Sequence, residues 1–118
     1  MDVFLVEDSP LLRDRLATLV AGIPGARLVG HADTAGEAVS AILASGASVV
    51  VLDLSLRGSN GFEVLRGLEG RAIDCYVLTN HPTEGFRSVA MRLGAKGFFD
   101  KSSEFQALRD VLAARAAA

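Results

Sequence analysis

The stretch Val49-Val50-Val51-Leu52-Asp53-Leu54-Ser55 decides how the rest of this chain is read. Four apolar residues, three of them β-branched, describe a short strand buried on both faces. The run stops at a carboxylate, and a polar, glycine-bearing loop follows: Ser55, Arg57, Gly58, Ser59, Asn60, Gly61. In an open α/β sheet, ligands occupy the crevice beyond the carboxyl ends of the strands. An aspartate at that point is held by the strand yet faces solvent. Alone, Asp53 reads as readily as a polar residue closing a strand, so its partners decide.

Upstream, Val3-Phe4-Leu5-Val6 is a second apolar run, ending at Glu7-Asp8. Ser9-Pro10 then signals a helix start, with Ser9 able to cap and Pro10 suited to the first helical position. Leu12, Leu16, Leu19, Val20 and Ile23 follow at helical spacing, and Gly22, Pro24 and Gly25 end that helix. A strand begins at Leu28-Val29 and closes near His31. Thr34 and Glu37 form a capping-box pattern, and Ala38, Val39, Ile42 and Leu43 make the inward face of the next helix, stopped by Gly46.

Downstream of the loop, Phe62, Leu65 and Leu68 line a short helix. Residues 73–78 read as a strand ending at Thr79. Pro82-Thr83 opens a helix with Phe86, Val89, Ala90 and Leu93 inward and Gly94 as its stop. Gly97-Phe98-Phe99 is the fifth strand, leading to Asp100-Lys101. Ser103 and Gln106 make a second capping box, Phe105, Leu108 and Leu112 face inward on the last helix, and the alanine-rich end is expected to fray. Five strands alternating with five helices, with no linker or repeat between them, predict one domain over residues 1–118, with a parallel sheet covered on both faces.

A chain of 118 residues, half of them hydrophobic, builds a core without metal or disulfide staples. The single cysteine, Cys75, lies in an apolar run and reads as a small core residue, which points to a reducing compartment. The N-terminus has no signal-peptide pattern, and no apolar run approaches the roughly 20 residues of a membrane helix. A cytoplasmic location is expected. Net charge is −2 with scattered Lys and Arg, so direct nucleic-acid binding is not expected.

The strand ends form a set: Glu7 and Asp8, Asp53, Thr79, and Lys101. In a parallel sheet all lie along one edge. If the first and third strands are neighbours, three carboxylates meet, each raising the others' pKa unless a divalent cation relieves the crowding. Magnesium favours such oxygen ligands together with water and a phosphate oxygen. A lysine suits a phosphoryl group, and a threonine hydroxyl adds a donor. The assembly suits phosphoryl transfer to Asp53 as the nucleophile.

On these residues the sequence resembles the receiver domain of two-component response regulators over nearly its whole length. Glu7-Asp8, Asp53, Thr79 and Lys101 each match the motif. Gly94-Ala95-Lys96-Gly97-Phe98-Phe99-Asp100-Lys101 is similar to the family's glycine-alanine and aromatic stretch before its lysine, and Gly61 to the glycine closing the phosphoacceptor loop. The resemblance implies a doubly wound, flavodoxin-like sheet of order 2-1-3-4-5 flanked by five helices. It implies Mg²⁺ bound by Asp8, Asp53 and the backbone carbonyl of Ser55, with Glu7 acting through water. It also implies phosphate from a histidine kinase or phosphotransfer protein, and a switch through Thr79 and Phe98. The fourth helix, fifth strand and fifth helix would then address a partner, a second copy of the chain among the candidates.

Four positions depart from that pattern. Arg57 replaces a common proline in the loop after the phosphoacceptor. Asn80 stands where a small residue is usual, His81 follows it, and Ser102 replaces a proline after the lysine. Arg57, Asn80 and His81 are expected to modulate rates and partner choice.

A haloacid-dehalogenase-like phosphatase would need an acid two residues after its nucleophile, where this chain has Ser55. A flavodoxin-like cofactor carrier would need a hydroxyl- and glycine-rich first turn, where this chain has Glu7-Asp8. His31 and His81 are not spaced as a metal pair. The expected function is a phosphoacceptor signalling domain, not an enzyme in the ordinary sense, with Mg-dependent self-phosphorylation and self-dephosphorylation. Its output stays open: a stand-alone receiver, which the alanine-rich end without a linker favours, or the receiver half of a DNA-binding transcriptional regulator, which Asp53-Leu54-Ser55-Leu56 resembles.

Overall fold

The computed structural model describes residues 1–118. In chain order the elements are β1 (Asp2–Val6), α1 (Pro10–Ala21), β2 (Arg27–Ala32), α2 (Ala35–Ser45) and β3 (Val49–Leu52). There follow β4 (Ser55–Leu56), β5 (Ser59–Asn60), α3 (Gly61–Gly67), β6 (Asp74–Thr79), α4 (Glu84–Arg92), β7 (Gly97–Asp100) and α5 (Phe105–Ala117). The main sheet is parallel, ordered β2-β1-β3-β6-β7. Setting aside the two-residue strands β4 and β5, this is the expected order 2-1-3-4-5.

Strand residues alternate between two cores because successive side chains leave a strand on opposite faces. Phe4, Val6, Val50, Leu52 and Val77 pack beneath α2, α3 and α4 with Ala38, Ile42, Val64 and Ala90. Val3, Leu5, Val49, Val51 and Leu78 pack beneath α1 and α5 with Leu16, Val20, Leu108 and Leu112. The order of β3 next to β1 and β6 sets the carboxyl ends of three central strands side by side.

Local signals act largely as their chemistry predicts. The side chains of Ser9, Thr34 and Thr83 accept the N–H groups of Leu12, Glu37 and Phe86, capping α1, α2 and α4. Gly46 and Gly94 take left-handed backbone (φ 71° and 101°) past α2 and α4. Cys75 is buried, and burial pushes its thiol up to about 12, as fits a core residue.

Five expectations are corrected. The polar loop after Asp53 is a small antiparallel hairpin, Ser55–Leu56 against Ser59–Asn60, turning at Gly58 with φ 68°. Its apolar contribution is Leu56, which joins the core. Leu43 is exposed because the buried stripe of α2 runs through Ala35, Ala38 and Ile42. Phe86 is likewise exposed, meeting Phe62 edge-on at a centroid distance of 5.9 Å, and α4 buries only Ala90. The cap of α5 is Glu104 rather than Ser103, and no side chain bonds the helix's first amides. The alanine-rich end stays helical to Ala117, since alanine is the best helix former and Arg115 Nε donates to Asp74 Oδ2 at 2.8 Å.

Candidate functional site

Glu7 continues β1 by one residue, and its N–H donates to Ala32 O at 3.1 Å. Asp53 does the same for β3, donating to Val6 O at 3.0 Å. The ladder therefore fixes both backbones before any side chain acts. Thr79 ends β6, and the Lys101 N–H donates to Thr79 O at 2.9 Å, which ties the end of β7 to its neighbour. Glu7, Asp53 and Thr79 are the only buried polar or charged residues in the chain, and all three stand at this edge.

The side chains converge. Lys101 Nζ lies 2.8 Å from Asp53 Oδ2 and 3.0 Å from Glu7 Oε1. The second oxygen of each acid is also engaged: Ser55 N–H donates to Asp53 Oδ1 and Ser9 N–H to Glu7 Oε2, both at 3.0 Å. Asp8 is half-buried, and one oxygen from each of Glu7, Asp8 and Asp53 lies within 4.8 Å of the others. Burial, more than any neighbour, raises the Glu7 pKa above the ordinary glutamate value, and the Asp53 charge adds to it. Burial alone would lower the Lys101 ammonium. The hydrogen bonds and charges of Asp53 and Glu7 outweigh it and hold Lys101 above the ordinary lysine value.

Such a pocket is a concentration of negative charge with one cation against it, and its donors are all oxygen. A hard divalent ion fits that set. Glu7 and Asp53 both have each carboxylate oxygen engaged, by the Ser9 and Ser55 N–H groups and by the Lys101 ammonium.

Thr79, Phe98 and the residues that depart from the family pattern lie around this centre. Thr79 Oγ1 accepts the His81 N–H at 3.1 Å, so the hydroxyl proton is free to turn elsewhere. Asn80, His81 and Arg57 are exposed, Arg57 on the hairpin turn. Phe98 is only 3% exposed, in its inward position, with the Arg87 guanidinium over its ring at 4.9 Å. All peptide bonds are trans, including Lys101–Ser102.

Two contributors escape the sequence. Arg13 on α1 donates through Nη1 to Glu7 O at 3.2 Å and pairs with Asp33 at 2.8 Å. Ser59 Oγ accepts the Ala35 N–H at 3.0 Å, fastening the hairpin to the first turn of α2 across 24 residues. Neither has a local pattern to betray it, because both contacts depend on tertiary placement.

A family model of the response regulator receiver domain matches residues 3–113. The chain belongs to that family. This receiver is 34% identical to the DNA-binding transcriptional activator DevR/DosR of Mycobacterium tuberculosis, covering 96% of this chain and 55% of the relative. It is 30% identical to the response regulator UvrY of Escherichia coli O157:H7, covering 87% and 48%. The receiver thus spans about half the length of the curated relatives it matches. Among solved structures it is similar to a LuxR-family two-component response regulator from Aurantimonas sp. SI85-9A1, with TM-score 0.89, 32% identity, and coverage of 98% of this chain and 84% of that one. A CheY-like receiver domain protein from Methanospirillum hungatei shares the fold, with TM-score 0.84, 18% identity, and coverage of 98% and 92%.

Proposed function

We propose that Asp53 accepts a phosphoryl group from a histidine kinase or phosphotransfer protein, and that Asp8, Asp53 and the Ser55 backbone carbonyl hold Mg²⁺, with Glu7 acting through water. The observation that carries this reading is Lys101 held between Asp53 and Glu7 at 2.8 and 3.0 Å, with Asp8 completing the acidic cluster. Bound Mg²⁺ supplies positive charge against the phosphoryl oxygens. The chain's own groups do the rest. An oxygen of Asp53 bonds to phosphorus while the donor's P–N or P–O bond breaks and its electron pair leaves with the donor. The ammonium of Lys101 is already beside the accepting carboxylate and stays to pair with the new phosphoryl charge. Thr79 then donates its hydroxyl to a phosphoryl oxygen and draws Asn80 and His81 along, while Phe98 on β7 reports the change.

The same reading has the domain work in the cytoplasm, lose its phosphoryl group by its own slow hydrolysis, and signal through the face of α4, β7 and α5 to a partner or a second copy. Arg57, Asn80 and His81, exposed around the entrance, would tune those rates. Incubation with acetyl phosphate and Mg²⁺, followed by intact-mass measurement, tests the core of it. The parent gains one phosphoryl mass only with Mg²⁺, and Asp53→Ala gains none. Equal labelling of both proteins sinks the assignment.

A second reading concerns the output. The receiver covers about half of each curated relative, one of them a DNA-binding transcriptional activator. This supports the receiver half of a DNA-binding regulator over the stand-alone domain. The mass of the gene product isolated from its cell decides between them.

A further inference from the structure

Lys101 lies in the stretch Asp100-Lys101-Ser102-Ser103-Glu104 between β7 and α5, and the hydrogen bonds of that stretch close around it. The Asp100 N–H donates to Glu104 Oε1 at 2.9 Å, and the Glu104 N–H returns to Asp100 O at 2.9 Å. Asp100 Oδ1 accepts both the N–H and the Oγ–H of Ser102, at 2.8 and 2.7 Å. The Ser102 N–H, and then its hydroxyl, hold the Asp100 carboxyl below the ordinary aspartate value, so it remains an ionised acceptor at neutral pH.

The aspartate-to-serine bonds alone would be ordinary turn chemistry. The Glu104 contact is not. Glu104 stands at the N-cap of α5, where a side-chain oxygen normally accepts one of the helix's unpartnered first amides. Here no side chain caps α5. The Glu104 carboxylate turns the other way and takes the amide on the far side of Lys101. The helix forgoes its cap, and the backbone on both sides of the lysine is pinned.

We propose that Glu104, supported by Asp100, is a positioning residue for Lys101. The two side chains clamp the loop so that the ammonium stands between Asp53 and Glu7 instead of sampling the open edge of the sheet. The kinetic half of this inference rests on Asp53 being the phosphoacceptor. The structural half concerns the metal-free protein and does not.

Glu104→Ser separates positioning from structural support. Serine is a favoured N-cap, so it returns a cap to α5 while removing the reach to Asp100. Glu104→Gln keeps an acceptor oxygen at the same length. Two measurements apply: the Lys101 ammonium signal in ¹⁵N-resolved NMR of the metal-free protein, and the rate of Asp53 labelling by acetyl phosphate with Mg²⁺. Glu104→Ser is expected to broaden the ammonium signal and slow labelling on the order of tenfold, less than the roughly 10²-fold that a displacement of about 1 Å can cause. Its melting temperature should not fall, and Glu104→Gln should restore both signals. In a Lys101→Ala background, Glu104→Ser should slow labelling no further.

An unchanged ammonium signal in Glu104→Ser overturns the clamp. So does failure of Glu104→Gln to restore it, or additional slowing when Lys101 is already absent. A parent that takes a phosphoryl group neither from acetyl phosphate nor from its cognate kinase refutes the assignment of Asp53, and the ammonium comparison then decides the clamp alone.

Discussion

Three carboxylates, Glu7, Asp8 and Asp53, face one ammonium, Lys101, at the sheet edge, and that charge count governs what substitutions there do. The excess is two negative charges, part of it buried where neighbouring charges interact strongly. Asp53→Asn removes one of them yet keeps the shape and an oxygen for the Ser55 N–H, and Lys101 keeps its bond to Glu7. In EDTA the variant should therefore melt higher than the parent; a gain of about 1 kcal/mol corresponds to roughly 4 °C for a domain of this size. Mg²⁺ should raise the parent's melting temperature by mass action and the variant's less. An equal or lower melting temperature for Asp53→Asn in EDTA would mean that losing the Lys101 contact outweighs relief of repulsion. The acids, Thr79 and Lys101 were legible in the sequence because hydrophobic runs alone place strand ends. That Lys101 bonds both Glu7 and Asp53 was not, since a lysine's direction depends on the backbone that carries it.

Elements were legible wherever one local signal dominated, and misread where two competed. Ser9, Thr34 and Thr83 cap as their chemistry dictates. At α5 the Ser103 and Gln106 pattern lost to Glu104, whose carboxylate serves the preceding strand instead. For α4, helical spacing implied four inward residues, but the helix meets the sheet only along the line of Ala90. Glycine shows the same dependence on context, and two of them give a paired prediction. Gly61 opens α3 directly against the end of the Asp53 strand: its N–H donates to Leu54 O at 2.9 Å, and a Cβ there would run into the Asp53 carbonyl and meet Leu54 Cα at 3.0 Å. Gly36, in the first turn of α2, has open space where its Cβ would be. Gly61→Ala should destabilise by roughly 1–3 kcal/mol through overpacking and slow Asp53 labelling, because the obstructing atom belongs to Asp53 itself. Gly36→Ala should stabilise by about 0.5–1 kcal/mol from helix propensity. Urea unfolding of both variants checks the pair; similar changes in each would show that Gly61 is present for chain flexibility rather than for clearance.

At the scale of the whole molecule, the sheet order sets Thr79 between the acidic cluster on β1 and β3 and the elements α4, β7 and α5, the face proposed to meet a partner. On the proposed function, a signal at Asp53 would have a short path outward: through the Thr79 hydroxyl, along Asn80 and His81, into α4. That helix is poorly anchored, with a single buried residue, and such elements are drawn from the low-stability end of a fold. Phe98 is already inward in this structure and covered by Arg87 from α4. Its position is thus coupled to α4 by a cation–π contact, worth about 0.5–1 kcal/mol where partly exposed. Burial of the ring favours the inward rotamer by roughly a further 1.5–3 kcal/mol, so the outward one is a minor state, and a phosphoryl analogue can bias the pair only by binding one better than the other. Beryllofluoride with Mg²⁺ is therefore expected to shift NMR signals through residues 79–92 and at Phe98, and to quench exchange broadening at Phe98 and Arg87 seen without it. Arg87→Ala should enlarge that broadening in the unliganded protein by releasing the outward rotamer. If perturbations stay confined to Glu7, Asp8, Asp53 and the hairpin, with Phe98 static throughout, Asp53 still accepts the analogue but Phe98 is a permanent core aromatic, and the output must leave by another face.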